Sequence, residues 1–106
     1  NVYPAADRRA GLAAAGREVG RAHRAGLDHP DLNVGNLFLQ PADPGWRAWL
    51  LDLDRAAIGP PSGDVARRNL ARLLRSLEKE HRAGGIAWDD GDLEAFREAH
   101  RAESLP

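Results

Sequence analysis

Apolar residues recur at steps of three and four positions in three parts of the chain, which is the spacing of one face of an amphipathic helix. The first predicted helix covers residues 5–26 and ends at Gly26, because glycine readily adopts the left-handed conformation that closes helices. The second covers residues 64–83. The third begins with Asp92 as its N-cap and runs to about residue 102. The apolar stripe of the first helix consists of Leu12, Ala15, Val19, Ala22 and His23.

Between the first two helices the apolar pattern is that of two short strands. Residues 37–39 form a short apolar run, residues 46–53 are rich in Trp and Leu, and the segment 41–45 between them contains Pro and Gly. These features predict an antiparallel hairpin. Residues 28–36 are too polar and too interrupted by Pro and Gly for a regular element. The predicted fold is therefore α+β and mostly helical, in the order helix, polar loop, hairpin, acidic turn and two helices.

The composition narrows the class of protein. The 106 residues, 42% hydrophobic and 29% charged, suit one compact domain and not a disordered chain. A formal net charge of −1 gives no excess of cations for sequence-independent binding, so no nucleic-acid partner is predicted. Without cysteine the chain has neither disulfides nor thiolate metal ligands. No apolar run approaches the length of a membrane-spanning helix.

Asp31, Asn36 and Asp52 are the residues best suited to chemistry. The loop that enters the first strand of a hairpin and the turn that leaves the second lie at the same end, so these side chains are expected to converge. Two carboxylates and a carboxamide are hard oxygen ligands of the kind that bind Mg²⁺ together with substrate phosphates. A carboxylate beside a hydroxyl group can also orient it and accept its proton. His81 and His100 lack metal-ligand spacing and are predicted to lie at the surface.

The segment from His29 to Asn36, His-Pro-Asp-Leu-Asn-Val-Gly-Asn, resembles the catalytic loop of the protein-kinase-like fold, in which an asparagine follows the catalytic aspartate by five residues. Residues 52–54, Asp-Leu-Asp, lie where kinases carry the metal-binding Asp-Phe-Gly. The resemblance implies that Asp31 is the catalytic base and that His29 braces the loop. By the same resemblance Asn36 and Asp52 hold Mg²⁺ against the phosphates of ATP, so ATP and Mg²⁺ are the implied cofactors.

The departures from the protein-kinase pattern favour kinases of small molecules or lipids. Pro30 replaces an arginine, Asn33 replaces a lysine, Asp54 replaces the glycine, and no Ala-Pro-Glu motif follows. Four strings narrow the resemblance further, at residues 22–27, 29–33, 52–55 and 68–77. Taken together, these strings resemble the 3-deoxy-D-manno-octulosonic acid (Kdo) kinases. The most specific of them is the last, Arg-Asn-Leu-Ala-Arg-Leu-Leu-Arg-Ser-Leu. The Kdo kinases belong to the lipopolysaccharide core kinase group of Gram-negative bacteria.

The resemblance implies transfer of the γ-phosphate of ATP to a hydroxyl group of the inner-core sugar Kdo on lipid A. It also implies a cytoplasmic protein in peripheral contact with the cytoplasmic face of the inner membrane. The candidate substrate-binding residues are Asn33, Asp54, Arg55, Arg68 and Arg72. Asp54 is either a second metal contact or a polar turn residue. Arg68 and Arg72 share one helical face with Arg75, and the three form either a strip that binds an anionic sugar carboxylate or a lipid A phosphate, or a solvated helix face.

The part of a kinase that grips the nucleotide is not found in the sequence. No Gly-rich phosphate loop precedes residue 29, the one lysine is Lys79, and the chain contains no Met and begins at Asn1. We therefore expect residues 1–106 to be a single partial domain, the C-terminal lobe of a protein-kinase-like domain, nearly inactive without the N-terminal lobe of the same protein. The alternatives are another small-molecule kinase of this fold, of heptose or aminoglycoside type, or a non-catalytic kinase-like module.

Overall fold

The three helices and the hairpin follow one another in the order that the apolar pattern predicts, whereas the short strands at residues 27–28 and 57–58 and the 3₁₀ helix at residues 34–36 were not predicted. The structure, a computed structural model, describes residues 5–84 and 88–104. Its elements are α1 (Ala5–Arg24), β1 (Leu27–Asp28), a 3₁₀ helix (Val34–Asn36), β2 (Leu37–Pro41), β3 (Trp46–Leu50), β4 (Ala57–Ile58), α2 (Gly63–Arg82) and α3 (Asp90–Ser104). β2 and β3 form the antiparallel hairpin, and β1 pairs with β4. The prediction of a mostly helical α+β fold is confirmed. None of the helices in the described ranges is long and apolar enough to cross a membrane.

The predicted start of the third helix is wrong, because Asp89 and not Asp92 is its N-cap. Asp89 Oδ1 accepts a hydrogen bond from the backbone N–H of Asp92, and Asp92 Oδ2 accepts one from the backbone N–H of Asp89, both at 2.9 Å. This reciprocal arrangement is a capping box, with the second acidic residue inside the first turn. The backbone N–H of Asp92, and then Arg9, lower the pKa of Asp89. Asp92 itself is buried, with Arg8 Nε at 2.7 Å from its Oδ2.

α1 and α3 pack closely because two glycines of α1 face the contact. A Cβ atom on Gly16 would collide with the carbonyl oxygen of Phe96 and lie 3.1 Å from Cβ of Ala99. A Cβ atom on Gly20 would lie 2.6 Å from the carbonyl oxygen of His100. Glycine in a helix interior costs about 1 kcal/mol relative to alanine. The close approach of the two helices therefore explains why α1 contains Gly16 and Gly20, although both lower its intrinsic helix stability.

Replacing Gly16 with alanine is expected to destabilise the domain by about 1–3 kcal/mol, because the added methyl group must displace the backbone of α3. Gly11→Ala is the matched control on the same helix. Its Cβ would lie 3.5 Å from Leu39 Cδ1, an ordinary contact, so the gain in helix propensity should stabilise the domain by about 0.5–1 kcal/mol. Chemical denaturation measures both changes, and two variants of equal stability would contradict the close packing of α1 on α3.

Leu32 brings the polar loop into the hydrophobic core. It is 1% exposed and packs with Val19 of α1, Leu73 of α2 and Phe96 of α3. Burial of a leucine side chain contributes about 1.5–3 kcal/mol to folding stability. Leu32 therefore fixes the loop, including its neighbour Asp31, against the core. Asp31 itself remains at the surface, with 37% of its side chain exposed.

The β2–β3 hairpin has one face in the core and one face in solvent. The side chains that pack against the core are Leu37, Leu39, Ala48 and Leu50. On the opposite face Phe38 lies across the strands from Trp49, and the two residues are 49% and 44% exposed. Strand β3 ends at Leu50 rather than at residue 53, so Leu51 and Leu53 continue as an exposed segment toward the acidic turn. The hairpin thus leads out to an uncovered apolar surface.

Candidate active site

The loop before the hairpin is tied together around the backbone of Asp31. The side-chain amides of Asn33 and Asn36 both donate to the carbonyl oxygen of Asp31, at 2.9 and 2.8 Å. Asn33 Oδ1 also accepts a hydrogen bond from Gly35 N at 2.8 Å and caps the 3₁₀ helix that leads into β2. Because two side-chain amides hold its carbonyl oxygen, the backbone that carries the Asp31 carboxylate is fixed in position.

The acidic turn after the hairpin is bonded to this same loop through Leu51. Leu51 N donates to the carbonyl oxygen of Asn36 at 2.8 Å, and the carbonyl oxygen of Leu51 accepts from Nε2 of His29 at 3.0 Å. The next residue is Asp52. The loop and the turn are therefore bonded to each other, in part through a histidine that is 2% exposed. The convergence of the Asp31, Asn36 and Asp52 side chains at this junction stays a prediction. His29 Nδ1 is buried and has no hydrogen-bond partner in residues 5–84 and 88–104.

Asp52 has an unusual backbone for a residue with a side chain. Its φ is 56°, in the left-handed region that costs an ordinary residue about 1–2 kcal/mol and that Asn and Asp tolerate best. Its carboxylate is exposed and makes no hydrogen bond or ion pair with any described residue. Strained residues of this kind cluster at functional sites. The turn thus presents an uncommitted carboxylate beside Asn36.

The donor groups of this site fit a magnesium ion that also contacts substrate phosphates. Asn36 must direct Nδ2 to the Asp31 carbonyl, which leaves Oδ1 as its free oxygen. Asn36 Oδ1 and the Asp52 carboxylate are hard ligands, and Mg²⁺ in phosphoryl-transfer sites usually takes only one or two carboxylates from the protein. In the described ranges no three His, Asp or Glu side chains gather as a closed metal cluster would require. Asn36 and Asp52 would hold the ion, and phosphate oxygens and water would complete its shell.

Among the other predicted substrate residues, Arg55 is the one brought to Asp31. Its Nε lies 3.6 Å from Asp31 Oδ2, with 76% of the Arg55 side chain exposed. Asp54 is exposed in the same turn. Arg68 and Arg72 lie on the exposed face of α2, and no hydrogen bond or ion pair joins them to the other described site residues.

Asn69 of α2 is a central residue of the site that sequence reasoning missed. Its Oδ1 accepts from His29 N at 2.9 Å and lies 3.1 Å from His23 Nε2, while its Nδ2 donates to Asp28 Oδ1 at 3.0 Å. It is 3% exposed. The signal was present, because Asn69 precedes Leu73 and Leu77 at steps of four residues and so falls on the buried face of α2. A polar residue on that face needs partners, and its partners here are His23 of α1 and the two residues at the start of the Asp31 loop, Asp28 and His29.

His23 and His100 form a buried pair behind Asn69. His23 Nδ1 lies 2.8 Å from His100 Nε2. Because Asn69 Oδ1 is an acceptor, His23 donates through Nε2 and accepts at Nδ1, so His100 Nε2 is the donor of the pair. The prediction that His100 lies at the surface is wrong: it is 7% exposed, because α3 packs against the glycines of α1. Burial lowers the pKa of both histidines, for His100 to about 4.

Acid is therefore expected to destabilise the domain through this pair. An unfolded histidine has a pKa of about 6.5, so the unfolded chain binds more protons as the pH falls from about 6.5 toward the folded pKa of His100 at about 4. Across that window the free energy of unfolding is expected to fall by on the order of 3 kcal/mol because of His100. His100→Gln keeps an N–H donor toward His23 and does not titrate. Denaturant unfolding at several pH values should show a shallower pH dependence for this variant, and an unchanged slope would contradict the assignment.

A mostly helical α+β fold, with a His-x-Asp loop bonded to an acidic turn at the end of a hairpin, is the arrangement of the protein-kinase-like fold. The sequence profile described as "Lipopolysaccharide kinase (Kdo/WaaP) family" matches residues 1–100, and the chain belongs to this family.

Proteins of known name support the same assignment. The 3-deoxy-D-manno-octulosonic acid kinase of Xylella fastidiosa (strain M12) is 45% identical over 85 residues, which cover 80% of this chain and 33% of that protein. The kinase of the same name from Xanthomonas oryzae pv. oryzae (strain PXO99A) is 42% identical over 92 residues, covering 87% and 34%. A solved structure of WaaP in complex with acyl carrier protein matches with a TM-score of 0.76 and 27% identity, over 94% of this chain and 41% of that one. The chain thus spans about a third of the length of these curated relatives.

Proposed function

We propose that the protein containing this chain is an ATP- and Mg²⁺-dependent kinase that phosphorylates a hydroxyl group of Kdo in the inner core attached to lipid A. The observation that carries the proposal is the bonded junction of loop and turn, in which His29 and Asn36 both contact Leu51. Membership of the lipopolysaccharide kinase family and the names of the curated relatives support the acceptor class.

Each residue of the junction has a part in the proposed reaction. The acceptor oxygen forms a bond to Pγ as the bond from Pγ to the ADP oxygen breaks, and the Asp31 carboxylate orients the hydroxyl group and takes its proton. Mg²⁺ held by Asn36 and Asp52 would neutralise phosphate charge. His29 positions the acidic turn through its hydrogen bond to the carbonyl oxygen of Leu51. Arg55, beside Asp31, is suited to the acceptor carboxylate or the transferred phosphate, since its guanidinium binds anions through paired N–H groups.

The remaining predicted substrate residues have less support from contacts. Both polar ends of the Asn33 side chain are engaged within the loop, so we propose that Asn33 holds Asp31 in place. Asp54, Arg68 and Arg72 stay predictions as substrate or metal contacts.

We further propose that the chain is the C-terminal lobe of the enzyme and works with an N-terminal lobe that grips ATP. The exposed residues Phe38, Trp49, Leu51 and Leu53 support this, because large apolar side chains gathered beside a charged site usually meet another surface. The proposed location is the cytoplasmic face of the inner membrane, in peripheral contact with the lipid.

The full-length protein tests the proposal. It should transfer phosphate from ATP to a lipid A precursor that carries Kdo, in a Mg²⁺-dependent reaction. Transfer to a heptose or an aminoglycoside instead would favour another small-molecule kinase of this fold. Failure to bind either Mg²⁺ or nucleotide would favour a non-catalytic module and overturn the proposal.

A further inference from the structure

A row of cations occupies the outward face of α2. Its members are separated by four, three, four and three residues, so at 3.6 residues per turn they lie within about 40° of one line along the helix. The line is opposite Leu73 and Leu77, which are buried in the core. All five members are exposed. This α2 cation row consists of Arg68, Arg72, Arg75, Lys79 and Arg82.

The row is largely free of neutralising partners. Arg82 pairs with Glu78, with 3.0 Å between Nε and Oε1, but the other four members make no ion pair with the residues that the structure describes. The row holds five positive charges in a chain of formal net charge −1, so the rest of the chain carries −6. A line of cations without neutralising partners attracts a negatively charged surface.

The shape of the row indicates the kind of surface. The row spans fifteen residues of helix, about 21 Å, and its last three members, Arg75, Lys79 and Arg82, line one shallow, open groove together with Glu78. α2 contains no Trp, Tyr or Phe that could stack on bases or insert into hydrocarbon. Clusters of four to eight Lys and Arg on an amphipathic helix are typical of binding to anionic lipid headgroups.

We propose that the α2 cation row docks the protein on the surface of an anionic lipid bilayer. The inference rests on the proposed function only for its peripheral membrane location and is independent of phosphoryl transfer. Docking through headgroup contacts alone is expected to be reversible and to weaken as salt concentration rises.

Vesicle co-sedimentation of the full-length protein without nucleotide tests the proposal. The protein should bind phosphatidylcholine vesicles that contain phosphatidylglycerol and should not bind vesicles of phosphatidylcholine alone. The double variant Arg75→Gln/Lys79→Gln, which leaves Arg68 and Arg72 in place, should weaken binding by about 10-fold or more. The control Arg24→Gln/Arg101→Gln removes the same charge from exposed positions on α1 and α3 and should change binding by less than about 2-fold.

The possible outcomes separate docking from catalysis. Loss of vesicle binding in the α2 variant alone supports the proposal even if no Kdo acceptor is phosphorylated. Equal loss in both double variants would show that net charge and not the row governs binding, which overturns it. Binding to both kinds of vesicle, or intact vesicle binding with loss of an acidic protein partner in the α2 variant, would overturn it as well.

Discussion

Asp52→Asn is expected to lower phosphate transfer by the full-length protein about 10²–10³-fold while leaving its stability within about 0.5 kcal/mol of the parent. Asparagine has the shape of aspartate and tolerates the left-handed backbone that Asp52 adopts at φ 56°. The lost group is a carboxylate that no described residue binds, so the fold does not depend on it. The measurement is ATP-dependent transfer to a Kdo-bearing lipid A precursor, beside denaturant unfolding of the same variant.

Asp52→Gly separates function from backbone strain at the same position. Glycine adopts positive φ without a steric penalty, so this variant should be as stable as the parent or up to about 1 kcal/mol more stable, and equally inactive. Asp54→Asn is the matched control in the same turn. It should retain activity if Asp54 is a polar turn residue, and lose it if Asp54 is a second metal contact. Normal turnover of Asp52→Asn would show that Asp52 holds no essential metal.

Local pattern was enough to predict the parts of the fold that are built from contiguous residues. The three helices and the hairpin in the described ranges follow from three- and four-residue periodicity and from the prolines and glycine near Asp43. The meeting of the loop at Asp31 with the turn at Asp52 follows from hairpin geometry alone. The site was predictable to this extent because both segments are adjacent to the same two strands.

Contacts between distant segments were not predictable in this way. The true N-cap Asp89 and the buried His100 depend on how α3 lies against α1, and no local period shows that packing. From the sequence alone, Gly16 and Gly20 only lower the helix propensity of α1. Their role in the close contact with α3 is visible only in the folded structure. Asn69 binds His29 and Asp28, which precede it by 40 and 41 positions in the sequence. Its partners could therefore not be inferred from its sequence neighbours.

Asn69→Ala is expected to destabilise the domain by about 3–5 kcal/mol. The change leaves the backbone N–H of His29 and Nε2 of His23 without their shared acceptor, and it removes the donor to Asp28. Each buried polar group left unpaired costs about 1–3 kcal/mol. Because His29 carries the bond to Leu51, the folded fraction of the variant should also transfer phosphate more slowly, with kcat reduced more than the KM for ATP changes.

Ser76→Ala is the graded comparison on the same helix. Ser76 Oγ accepts one hydrogen bond from the loop, from Val34 N at 2.8 Å, so its loss should cost about 1–2 kcal/mol and leave His29 in place. Asn69→Asp keeps the acceptor toward His29 but sets a second carboxylate against Asp28, so its deficit should shrink as the pH falls and one carboxylate is protonated. Equal stability of Asn69→Ala and Ser76→Ala, or an undiminished kcat in the folded Asn69→Ala protein, would show that Asn69 does not position the catalytic loop.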